Sequence, residues 1–298
     1  MTGVRISAPA KLNLRLLVGP RGHDGYHPLR TLMVALDGLA DTVTVAAAAE
    51  RRVTCPGIDG PRNLAWRALA ELELEAGRPL PTAVVIDKRI PVQAGLGGGS
   101  SDAAAALVGA DRLHGLGLGP ARLERVAARV GADVPFFVRA GAQWAEGRGE
   151  RLRPASVPPF AALLAKPAAG LSTAAVYQAF DRLPPPPGDE VVAGSRKDSG
   201  RDEVVAGSRN DPYRYEVVAR SRNDLWGAAL ALAPGLGATA RALAAAGADR
   251  VLLCGSGSCL AGLFRDRGGA EEAAARMPAG GFRAVVAGPA APRALVSG

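Results

Sequence analysis

Apolar positions recur along this chain with two periods, two for strands and about three and a half for helices, and the two patterns alternate through both halves. In the first half, residues 4–8, 12–18, 29–36 and 42–47 read as strands, the last alternating Val and Thr. Pro61 opens a helix running to Glu75, with Gly77 as its stop. Residues 82–89 form a further strand rich in β-branched side chains. A glycine-rich loop over 91–99 follows, and Ser100, Ser101 and Asp102 lead into an Ala-rich helix over 103–113. Another helix spans 120–130 and stops at Gly131.

The second half restarts with an apolar strand at 160–166 and a short helix holding Tyr177 and Phe180, capped by Ser172 or Thr173. Helices at 224–232, 238–246 and 270–276 and strands at 251–253, 260–264 and 282–287 complete it. Strands and helices mixed in two halves predict an α+β fold with two domains, residues 1–156 and 157–298. A length of 298 residues agrees, being roughly twice the commonest domain size of ~100–150. Between the halves, residues 190–198 recur as 203–211 and again as 216–224, a period of thirteen. Each copy offers one apolar pair among many charges and follows a proline run. The zone from about 184 to 222 is therefore expected to be a disordered or loosely ordered insertion, since such units bury no face of their own.

Composition changes the picture in three places. Hydrophobic residues at 48% and charged residues at 21% suit a globular protein with a substantial core. The net charge of +8 suits polyanionic ligands as well as nucleic acid, so by itself it decides nothing. Aromatics are only 4%, which makes Tyr26 and Tyr177 conspicuous. Cys55, Cys254 and Cys259 show no metal-ligand spacing with His and read as buried thiols in a reducing compartment. The N-terminal residues lack an apolar signal region, and 227–246 is interrupted by Pro234 and Arg241, so a cytoplasmic protein without a membrane span is expected.

The strongest chemical signal is the run Pro91, Val92, Gln93, Ala94, Gly95, Leu96, Gly97, Gly98, Gly99, Ser100 and Ser101, lying between a strand and a helix. Glycines let backbone N–H groups approach an anion, and the helix N-terminus adds unpaired donors and a favourable dipole. No Lys follows in Walker register, and a Rossmann fingerprint is matched only loosely. Asp133 is a lone acid after a helix stop, beside Val134, Pro135, Phe136 and Phe137. A bare carboxylate in such apolar company is costly, which marks it as a candidate for chemistry.

This loop resembles the second motif of the GHMP kinase superfamily. Two more elements fit in order: Ala8 to Leu14, containing Lys11 and Asn13, and Cys254-Gly255-Ser256-Gly257-Ser258-Cys259. Asp24-Gly25-Tyr26-His27, Gly131 to Phe137, Thr173 to Tyr177 and the step Asn223-Asp224-Leu225 resemble the branch that phosphorylates a cytidine-diphosphate-bearing polyol in non-mevalonate isoprenoid synthesis. The resemblance implies a ribosomal-S5-like N-terminal domain and a ferredoxin-like C-terminal domain with the active site between them. It implies ATP at the glycine loop, Mg²⁺ carried mainly by the nucleotide phosphates, Asp133 as base and Lys11 as its companion cation. It also implies a substrate site of Asn13, Tyr26, His27, Thr173 and Tyr177, the two Tyr sandwiching cytosine and His27 reading its polar edge. Asn63 and Lys88 are expected on the adenine side. Of the three repeat copies, only the third continues into an apolar helix, so Asn223 is expected to hold the family's position. Two alternatives stay open here: a GHMP kinase of homoserine or mevalonate, and a basic nucleic-acid-binding protein. Against the second, residues 189–224 carry seven basic and eight acidic side chains.

Overall fold

The computed structural model describes residues 3–184 and 220–292. Strands β1 (Val4–Val18) and β2 (Leu29–Ala47) form a long antiparallel pair, and each joins two stretches that read separately in the sequence. The joins are irregular: register shifts fall between Pro9 and Lys11 and between Asn13 and Arg15, and these re-aim Lys11 and Asn13 within one continuous strand. β3 (Arg52–Thr54) runs parallel to β4 (Thr82–Asp87), with a short 3₁₀ turn (Gly60–Arg62) and α1 (Leu64–Ala76) as the crossover. Asn63 caps α1 through Ala65 N–H at 2.9 Å, and Gly77, at φ 66°, ends it. α2 (Gly98–Leu113), α3 (Gly119–Val130) and α4 (Val134–Arg139) follow, then the hairpin β5 (Ala142–Gly147) and β6 (Arg151–Pro154). β5 pairs with β2.

The second half comprises β7 (Phe160–Lys166), α5 (Thr173–Phe180), β8 (Arg222–Asn223), α6 (Trp226–Leu232), α7 (Leu236–Ala245), β9 (Arg250–Leu253), β10 (Leu260–Phe264), α8 (Arg267–Arg276) and β11 (Phe282–Gly288). Its strands order as β11-β7-β10-β9, all neighbours antiparallel. Leaving aside β8, which pairs with β1, these strands count as fourth, first, third, second, which is the ferredoxin-like arrangement. The α+β class is as expected. The insertion lies almost wholly outside the described residues.

Three apolar cores stabilise the molecule. One, beneath α1 to α4, gathers Ile6, Val43, Leu69, Leu107, Phe136 and Phe137. Another holds β7 to β10 against α5 to α8. The middle one is shared, with Leu12 and Leu14 of β1 meeting Phe160, Leu164 and Val286. β2 and β11 touch in register only at Asp37 and Ala287. The shared core and the short β1–β8 pairing therefore hold the halves edge to edge and leave a cleft along the seam.

Candidate active site

The cleft has a volume of about 1570 Å³, and both halves line it. Its floor is the glycine run. The helix begins at Gly98, earlier than the sequence reading placed it, so Gly99, Ser100 and Ser101 lie in the first turn of α2. Every residue from Pro91 to Ser100 lines the cleft. Ser101 does not: it sits in the helix's first turn, facing the core, fully buried, with its Oγ unpartnered. The expectation that it contacts nucleotide directly is corrected by that rotation around the helix.

The loop is held from three sides. Lys11 N–H donates to Leu96 O at 3.0 Å, Ser258 N–H to Gln93 O at 3.3 Å, and Cys259 N–H to Ala94 O at 3.2 Å. Gly95 has φ 75°, and a Cβ there would stand 1.7 Å from Cys254 O, so only glycine permits the two loops to meet. A Cβ on Gly97, at φ 72°, would reach Phe137 at 2.8 Å. The Cys254–Ser258 segment is thus the brace behind the anion loop.

At one end of the loop Lys11 is nearly buried, donates to Asn13 Oδ1 at 2.6 Å, and lies 3.7 Å from Asp133 Oδ2. Asn13 in turn donates to Thr31 Oγ1 at 2.8 Å. Asp133 precedes α4 but caps no backbone amide, and its side chain is 40% exposed to the cleft. The sequence placed this carboxylate in an apolar setting. The structure turns Val134, Pro135, Phe136 and Phe137 inward and leaves the carboxylate at the cleft wall, where solvent and Lys11 meet its cost.

The aromatics lie nearby, Tyr177 close enough to feel the Asp133 charge. Tyr177 and His27 have ring centroids 5.4 Å apart, and Phe180 meets His27 edge-on at 5.7 Å. Burial, with Asp133 adding to it, pushes the Tyr177 phenol well above its ordinary range. Tyr26 is exposed, with the Arg148 guanidinium 3.8 Å over its ring. The His27 ring is engaged inside the protein: Nδ1 lies 2.9 Å from Gly19 O and Nε2 3.0 Å from Asp181 Oδ1. The ring is thus occupied, which leaves the His27 backbone for a base edge. Thr173 Oγ1 lies 2.8 Å from Ser256 Oγ and ties α5 to the brace. Ser172, not Thr173, caps α5.

Asn63 lines the cleft, but its side chain is spent on Ala65 N–H and Ile58 O. Lys88 pairs with two carboxylates, Asp41 and Asp102, the latter at 2.8 Å. Sequence reasoning gave these acids no role. The signal was present for Asp41, a lone charge at an inward position of β2 where its neighbours in register, Leu39 and Val43, are buried. Asn223 is buried and donates to Leu253 O at 2.8 Å and Gly255 O at 2.6 Å.

Family models for the N-terminal and C-terminal domains of GHMP kinases match residues 63–141 and 216–282, the class that this fold and cleft define. A 4-diphosphocytidyl-2-C-methyl-D-erythritol kinase of Anaeromyxobacter dehalogenans (strain 2CP-C) is 42% identical over 273 residues, covering 90% of this chain and 82% of that protein. One of Pelobacter propionicus is 39% identical, covering 96% and 99%. A crystal structure of a 4-(cytidine 5'-diphospho)-2C-methyl-D-erythritol kinase matches with TM-score 0.74 at 34% identity, covering 96% of this chain and all of that one. The chain belongs to the 4-diphosphocytidyl-2-C-methyl-D-erythritol kinase family. A homoserine kinase from Cytophaga hutchinsonii, at TM-score 0.67 and 17% identity, shares the fold alone.

Proposed function

We propose that this chain transfers the γ-phosphoryl group of ATP to the 2-hydroxyl of 4-diphosphocytidyl-2-C-methyl-D-erythritol. The carrying observation is the Asp133 carboxylate, set free of capping, facing the cleft and 3.7 Å from Lys11. A tertiary alcohol is a weak nucleophile, and a positioned carboxylate that accepts its proton as attack proceeds lowers the barrier. Lys11 is held by Asn13, so its charge is aimed at Asp133 and at the phosphoryl group in flight.

The polyphosphate belongs on Gly95 to Ser100, where absent side chains and the first turn of α2 present backbone donors. When bound, Mg²⁺ neutralises charge across the phosphates. Among the described residues no group of three His, Cys, Asp or Glu side chains is arranged as a metal site. Tyr177 and Tyr26 supply flat faces for cytosine, and the His27 backbone reads its edge. Among the described residues no helix is long and apolar enough to cross a membrane; the reading puts the chain with its ATP in the cytoplasm.

The test is ADP release with the cytidine-diphosphate substrate beside mevalonate and homoserine. Turnover with the first alone is expected. Equal or faster turnover of either of the others would overturn the substrate assignment.

A further inference from the structure

The Lys88 cluster lies beneath the glycine loop and is the buried ionic group that the proposed phosphoryl transfer does not use. Asp41 is fully buried and receives three donors: Lys88 Nζ, Arg89 N–H at 2.6 Å and Ile90 N–H at 2.8 Å. Asp102, in the first turns of α2, is almost as buried. It receives Lys88 Nζ on Oδ2 at 2.8 Å, while Oδ1 has no partner. Lys88 precedes the loop and Asp102 follows it, so the pair clasps both ends of the segment proposed to hold the phosphates. Lys88 Nζ would stand 3.2 Å from a Cβ on Gly98, and Lys88, Gly98 and Asp102 line the cleft while Asp41 is buried behind them.

Two carboxylates facing one ammonium leave an excess negative charge directly under a loop that receives a polyanion, and low-dielectric surroundings enlarge that conflict. A proton removes it. Of the two acids, Asp102 is where it rests, having one donor and a bare oxygen against three donors at Asp41. We propose that Asp102 is a proton-linked positioning residue of the nucleotide site: binding of the Mg²⁺–nucleotide draws a proton from solvent onto its free Oδ1, leaving Lys88 and Asp41 as a neutral clasp beneath the loop. This rests on the reading that the glycine loop holds the nucleotide.

The charged and titratable groups facing Asp102 are Lys88 from the end of β4, Asp41 from β2 and, beyond them, Cys55 after β3. Burial raises the Cys55 thiol, so it adds no charge near neutrality. Burial also pushes Asp102 up to about 7, with Asp41 adding to it and Lys88 opposing. An arriving polyphosphate raises it further, and linkage then requires tighter nucleotide binding as pH falls through neutrality.

The experiment is calorimetric titration of MgATP into the full chain at pH 7.5, in two buffers of widely different ionisation enthalpy. The magnesium complex exchanges no proton of its own at this pH, so buffer-dependent heat reports the protein. Uptake of about half a proton is expected in the wild type. It should fall close to zero in Asp102→Asn, and also in Asp41→Asn, which removes the excess charge by the other route and stands in should the first variant misfold. The ratio of wild-type to Asp102→Asn dissociation constants should rise severalfold from pH 6 to pH 8.5. Buffer-independent wild-type heat, or unchanged uptake in the variants, overturns the proposal alone. Absence of any MgATP binding overturns the nucleotide reading and the proposal with it.

Discussion

Asp133, Lys11 and Tyr177 are the residues on which the proposed chemistry turns, and Asp133 and Lys11 were singled out for different reasons. Asp133 was found because an acid after Gly131 and before four apolar residues has no structural excuse, and indeed it caps nothing. Lys11 was found only through its motif; that it is nearly buried and oriented by Asn13 is a consequence of the register shifts in β1, which no periodicity reveals. We expect Asp133→Asn to lower kcat by roughly 10²–10⁴-fold with ATP affinity near wild type, the range for loss of a positioned base. Turnover within threefold of wild type would sink the assignment. Tyr177→Ala should weaken binding of the cytidine substrate by about 1–3 kcal/mol, and Tyr177→Phe, which keeps the ring against His27, should be nearly silent. Calorimetry showing equal weakening for ATP would point to a collapsed fold in place of a base platform. The internal engagement of the His27 ring was not legible for a physical reason: Asp181 and Gly19 reach it from segments whose proximity only the fold creates.

At the scale of elements, the legible ones had a clear period or clear punctuation. α1 was foreseen with its stop at Gly77 but started too early, since Pro61 lies in a 3₁₀ turn and Asn63 is the cap; β7 as an unbroken apolar run and β10 were foreseeable as they stand. β5 and β6 were missed because Ala142 to Pro154 is rich in Gly and Arg, and these strands owe their pairing to β2 more than to their own side chains. α4 was missed because Pro135, at the second helical position, reads as a turn when its N1/N2 context is unknown. Close backbone packing of the Gly255–Ser258 loop in support of the glycine loop was readable from its glycines, but the particular bonds to Gln93 O and Ala94 O were not. That docking makes Gly95→Ala informative: the new methyl cannot coexist with Cys254 O, and φ 75° is unfavourable besides. A loss of at least ~2 kcal/mol in urea unfolding is expected, with ATP affinity falling more than affinity for the cytidine substrate. A variant as stable as wild type would mean that the two loops are not in contact.

For the whole molecule, the cleft exists because two sheets meet at one edge and share a middle core, and Asn223 is one of the described links between the halves. From the second half it pairs in register with Leu16 of β1. Its amide donates to Leu253 O and Gly255 O, and its Oδ1 accepts Leu225 N–H at 2.9 Å, starting α6. The repeat made this residue formally ambiguous in the sequence, and its continuation into an apolar helix selected it; the earlier copies lie outside the described residues. Asn223 thus bridges the halves in two ways: its backbone pairs with β1, which carries Lys11, and its side chain holds β8 on the brace behind the glycine loop. Asn223→Ala leaves two buried carbonyls and an N–H without this partner, so stability should fall by about 2–4 kcal/mol and KM should rise for both substrates together. Asn223→Asp is the sharper probe. It keeps the cap on Leu225 but turns an oxygen toward two carbonyls, so it fits only when that oxygen carries a proton. Its folded-state pKa is then raised above the unfolded value of about 4, the folded state binds the extra proton, and stability falls as pH rises from about 4 upward. Unfolding midpoints of Asn223→Asp should therefore approach wild type near pH 4 and drop away toward pH 8, while those of Asn223→Ala keep a constant offset. Parallel pH curves for the two variants would show that the amide's two donations to Leu253 O and Gly255 O do not hold β8 on the brace.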